Sequence, residues 1–159
     1  MAPDFTSAGS NGQISLSDYC GKQNVVLYFM REFSYSFSQK HVAPLKQLYS
    51  TLQAHHAEVL VIGGGSRAEA EYLATQLQVP FPVLADADRE VYHRYGLEKV
   101  MSLWQRSGII VVDRQGRVSY SHPTTIHKKG GLYGNGIHSD AHHLYSGTGQ
   151  RCITCPSGH

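Results

Sequence analysis

The chain has no run of lysine and arginine. Lys128-Lys129 is only a pair, and a formal net charge of +2 is too small to argue for nucleic acid. Long apolar runs are missing as well: Val25 to Met30 is among the longest, far short of the ~20 residues that span a bilayer. MAPDFTSAG at the start has no basic segment followed by an apolar one, so it does not read as a signal peptide. A soluble, cytoplasmic protein with no membrane or nucleic-acid partner is the simplest expectation, and nothing calls for a nucleotide cofactor. Cysteine is scarce: three in 159 residues, an odd number, argues against a secreted disulfide framework.

What is present fits one globular domain. Hydrophobic residues make up 41% and charged residues 16%, ordinary values for a packed core and not those of a disordered chain. Ten histidines are unusual, and six of them (His122, His127, His138, His142, His143 and His159) fall in the last 38 residues beside Cys152 and Cys155.

Along the chain, Ser-Asn-Gly turn chemistry surrounds a short alternating piece from Gln13 to Leu16. Val25 to Met30 is apolar on both faces, as a central strand covered by helices should be. Val42, Leu45, Leu48, Tyr49 and Leu52 recur at helical spacing, with Ser38 able to cap that helix. Pro44 predicts a kink or a later helix start. Glu58 to Ile62 is a second buried strand, closed by Gly63-Gly64-Gly65. Ser66 and Glu69 then have capping-box spacing for a helix to about Leu77. A short helix from Arg89 to Tyr95 follows the acidic turn Asp86-Ala87-Asp88. Ile109 to Val112 and Arg117 to Ser121 flank the turn Asp113-Arg114-Gln115-Gly116 as a hairpin. This order argues for a central mixed sheet with helices on both faces.

Several segments, in this order, resemble the peroxiredoxin-like (AhpC/TSA, redoxin) family of the thioredoxin superfamily. They are APDF, LSDYCGK, VVLYFMREFSYSFSQKHVAPL, VPFPVLADADREVYHRYGL and IIVVDRQGRVSY. The resemblance implies an α/β, thioredoxin-like fold over residues 1–123, followed by an irregular Gly/His/Cys-rich tail at 124–159. In that family a Thr or Cys, two further residues and a reactive Cys open the helix after the first core strand. Here those positions carry Tyr35 and Ser38. A serine hydroxyl has far too high a pKa to stand in for the thiolate and forms no sulfenic acid, so peroxidase chemistry of the usual kind is expected to be absent. Ser38 is then a helix cap, and Tyr35 a packed or ligand-facing ring. Tyr35 is not a residue an experimenter would choose, so loss of the site reads as natural. Arg106 precedes the late strand where the family often carries a peroxide-orienting arginine.

The tail is where chemistry could survive. Cys152-Ile153-Thr154-Cys155 places two sulfurs close enough for one metal ion or a small-loop disulfide. With two of His138, His142, His143 and His159 it offers the two thiolates and two imidazoles that zinc commonly takes. Iron, copper or nickel is a less favoured occupant, and a mobile tail with incidental residues is the bland alternative. Cys20 is expected to be a small packed side chain. Two functional readings result: a peroxiredoxin-like oxidoreductase whose remaining thiol chemistry falls to Cys152 and Cys155, or a non-catalytic, metal-holding binding module. A homodimer and a thiol reductant protein are the partners these readings carry.

Overall fold

The computed structural model describes residues 1–31, 33, 40–97, 107–124, 153 and 155. Seven strands form one sheet: β1 (Thr6–Gly9), β2 (Gly12–Ser15), β3 (Asn24–Phe29), β4 (Ala57–Gly63), β5 (Val83–Ala85), β6 (Ser107–Val112) and β7 (Val118–Thr124). Their spatial order is β2-β1-β5-β4-β3-β6-β7. β3 sits at the centre, parallel to β4 and antiparallel to β6, so the sheet is mixed as the sequence implied. The four segments read as core strands all lie in it. The N-terminal hairpin is larger than expected, because Thr6–Gly9 adds a full strand against Gly12–Ser15.

Alternation along β3 divides the core in two. Val25, Leu27 and Phe29 face a cluster containing Ile62, Tyr92 and Tyr95. Tyr28 and Met30 face the other side with Val59, Val61 and Leu73. Each large side chain fully buried there contributes about 1.5–3 kcal/mol. That second face is covered by α1 (Ala43–Ala54) and α2 (Arg67–Leu77). α1 has Pro44 in its first turn, where a missing N–H costs nothing, and Lys40 and His41 are already helical before the turn at Val42. α2 carries the expected capping box: Ser66 Oγ accepts from Glu69 N at 3.2 Å and Glu69 Oε2 from Ser66 N at 2.6 Å.

The first face is covered by α3 (Glu90–Arg94), which is entered through Arg89 in the left-handed region at φ 60°. Asp113 Oδ1 holds the β6–β7 turn by accepting from Gln115 N (2.9 Å) and Arg117 N (2.8 Å), and Gly116 supplies the positive φ of 77°. Ile153 also belongs to this core: it is 2% exposed, and its N–H donates to Ala2 O at 3.1 Å. No helix among the described residues is long and apolar enough to cross a membrane.

Candidate functional site

The C-terminal ends of β3 and β4 are locked together by one side chain. The Tyr92 phenol is fully buried and donates to Met30 O and to Ile62 O, the latter at 2.9 Å. Burial pushes its pKa up, and the Asp86 charge acts in the same direction, partly opposed by Arg89. The phenol is therefore a permanent donor and never a base. Asp86 Oδ2 in turn accepts from Tyr92 N at 3.0 Å, and desolvation raises that carboxyl above its usual range despite this bond. Tyr92→Phe leaves two strand-end carbonyls without this donor. It should cost about 1–2 kcal/mol, read from urea unfolding, with the largest loss of amide protection at Met30 and Ile62.

Two arginines flank this knot. The Arg89 guanidinium lies over the Tyr92 ring, 5.1 Å from its centroid, and its Nη2 reaches Gly64 O at 3.5 Å. A Cβ at Gly64 would collide with that guanidinium, while Gly63 and Gly65 give the same clearance to Phe33. Arg31 follows the strand end. Arg31 Nε and Arg89 Nη1 are both shielded from solvent and find no hydrogen-bond partner.

An open cleft of about 330 Å³ lies between β1 and the turn entering α3. Its acidic side chains are already engaged: Asp86 holds Tyr92 N, Asp88 Oδ1 accepts from Glu90 N at 3.2 Å, and Glu90 pairs with Arg94.

The opposite pole holds a disulfide. Cys20, expected to be an unpaired packed side chain, forms a disulfide with Cys155 across 135 residues, with Cα atoms 5.4 Å apart. This corrects the pairing as well: Cys155 is joined to Cys20 and not to Cys152. The reason is the return of the chain end to the core, where Ile153 seats on Ala2 and Gly116 and Cys155 Sγ comes 3.6 Å from Arg114 O. Gly21 N donates to the same Arg114 carbonyl at 2.8 Å, which brings Cys20 alongside. Tyr35, Ser38, Arg106, Cys152, His138, His142, His143 and His159 lie outside the described residues. Among the described residues no three His, Cys, Asp or Glu side chains converge on one point.

The model of the AhpC/TSA family matches residues 1–121. The chain belongs to the AhpC/TSA family. Peroxiredoxin 2 of Thermoplasma acidophilum is 29% identical over 120 residues, covering 70% of this chain and 59% of that protein. The chain spans between 46% and 59% of the length of the curated peroxiredoxins it matches. Among solved structures, the bacterioferritin comigratory protein of Xanthomonas campestris superposes with a TM-score of 0.71 at 16% identity, over 77% of this chain and 82% of that one. Plasmodium yoelii Prx1a, which when modified at its N-terminus forms an artifactual octamer, gives 0.65 at 21% identity over 76% of each chain. These likenesses establish the thioredoxin-like fold of this AhpC/TSA chain.

Proposed function

We propose that this chain is a peroxiredoxin-like thiol–disulfide protein that has lost the peroxidatic cysteine of its family and works through Cys20 and Cys155. The observation that carries this reading is the Cys20–Cys155 bond, in a chain whose reactive turn reads Tyr35-Ser36-Phe37-Ser38. The step is a two-electron exchange. A thiolate of a dithiol reductant protein attacks one sulfur, and the other cysteine leaves as a thiolate and takes up a proton. The second thiol of the reductant then resolves the mixed disulfide, leaving Cys20 and Cys155 reduced and the reductant oxidised. A partner disulfide reverses the exchange. In a cytoplasmic chain a bond of this kind cycles and is not permanent. A homodimer is the second association this reading carries.

Zinc at the tail becomes conditional on redox state. With Cys155 oxidised, Cys152 is the one thiolate left, so the two-thiolate, two-imidazole set exists only in the reduced chain.

Non-reducing peptide mapping, with thiols blocked before digestion, tests the reading. The Cys20 and Cys155 peptides should emerge joined, separate with a dithiol and rejoin on removal of the reductant. A native chain bridged through Cys152 and Cys155, or one with three free thiols that never pair, would overturn it.

A further inference from the structure

We propose that the face beside Cys20 is a docking seat for a partner segment of the pattern apolar–any–Cys, which the chain's own Ile153-Thr154-Cys155 fills in the oxidised state. This rests on the thiol–disulfide reading and deepens it, by naming the class of disulfide that Cys20 accepts.

The seat is visible because an occupant is in place. Ile153 is 2% exposed, within the core cluster that holds Ala2, Leu16 and Val112. Its N–H donates to Ala2 O at 3.1 Å, and two positions further on Cys155 is bonded to Cys20. From where a Cβ on Gly116 would stand, Ile153 Cγ2 and Cys155 Sγ each lie 3.1 Å away, so this turn glycine is the floor beneath both side chains. Ile14, Tyr19 and Val118 pack against the same cluster.

The frame of the seat is held without the tail. Ala2 N donates to Gly116 O at 2.7 Å, and the Tyr95 phenol donates to Pro3 O at 2.7 Å. Cys20 N donates to Ser17 O at 3.2 Å, and Gly21 N to Arg114 O at 2.8 Å. Departure of Ile153 therefore leaves an apolar recess, the Ala2 carbonyl and the Cys20 thiol side by side. Apolar surface released there is covered again only by another apolar side chain.

The occupant is a partner protein carrying a disulfide. A second copy offers only the segment that the chain already supplies to itself, in cis and at higher effective concentration. In the reduced chain the Cys20 thiolate attacks the partner's seated cysteine, and the partner's other cysteine leaves as a thiolate and takes up a proton. The Cys155 thiolate then attacks Cys20 Sγ, Ile153 takes the seat, and the partner's first cysteine leaves as a thiolate. The partner disulfide has gained two electrons and the chain has lost two.

The test uses the full chain with Cys152→Ser and Cys155→Ser, which keeps Cys20 as its single thiol. Two peptides of residues 150–157 carry Cys152→Ser, and one of them also Ile153→Ala. With glutathione joined to Cys20, each peptide thiol is added, and acid-quenched mass spectra give the exchange constant. The isoleucine peptide should displace glutathione at least about tenfold better than the alanine peptide, the weight of the further carbons it buries. If this chain unfolds, the oxidised Cys152→Ser chain takes its place, and the same ratio is read from the fraction opened by each peptide. Equal constants for the two peptides would overturn the seat and leave the exchange reading standing. A Cys20 that takes neither glutathione nor peptide would remove both. A native dimer joined from Cys20 of one copy to Cys155 of another would make the second copy the occupant and overturn the partner assignment.

Discussion

Hydrogen peroxide turnover by this chain, with a dithiol reductant, should run at background, at least about a thousandfold below a cysteine-bearing member of the family. The chemistry needs a thiolate to displace an alcohol or water from the O–O bond and to leave as a sulfenic acid. Ser38 can do neither, because its hydroxyl stays protonated at any working pH and its oxygen has no corresponding oxidation step. Ser38→Cys alone should recover little of the lost rate. The residue that helps orient the peroxide in the family is small and hydroxyl- or thiol-bearing, and on the proposed reading Tyr35 takes that position. The decisive measurement is initial rate against peroxide concentration for the native chain, Ser38→Cys and Cys20→Ser. Brisk turnover by the native chain that disappears in Cys20→Ser would move the reactive thiol to the opposite pole.

Cys20→Ser should lower stability by about 5 kcal/mol, because the bond it removes closes a loop of 135 residues and large loops gain most from closure. For a chain of this size that is a fall in Tm on the order of 10–20 °C. Ile153 should come away with Cys155, since one backbone bond to Ala2 and one buried side chain hold it otherwise. Thermal unfolding with and without a dithiol reads the first effect, and limited proteolysis after Thr124 reads the second. Cys152→Ser is the control, and its Tm should match the native chain. If Cys152→Ser falls as far as Cys20→Ser, the tail is held by its own C-x-x-C and not by the long-range bridge.

Much of the fold was legible because its signals are local. Val25 to Met30 and Glu58 to Ile62 are apolar on both faces, which only a strand covered on both sides tolerates, and both sit in the centre of the sheet. Ser66 and Glu69 satisfy each other's backbone within one turn, so that helix start needs no tertiary help. Pro44 signalled the break beside it, a turn at Val42 between helical Lys40–His41 and α1. Strand β1 was missed because Thr6–Gly9 is short and polar at one end. Its identity comes from pairing with β2 and, at Gly9, with Leu84.

The candidate sites divide differently. The reading of Tyr35 and Ser38 as the reactive-turn positions rests on motif spacing in the chain, and both lie outside the described residues. Cys20 and Cys155 were both visible, yet their bond was not. Two cysteines separated by two residues always look like the natural pair, and only the docking of Ile153 beside Ala2 and Gly116 brings a sulfur 135 positions away into reach. Periodicity and turn chemistry thus specified the sheet and its helices. Which distant side chains meet, and which are left without partners, was decided by the closing of the sheet, because burial and pairing are properties of the assembled core and not of any segment.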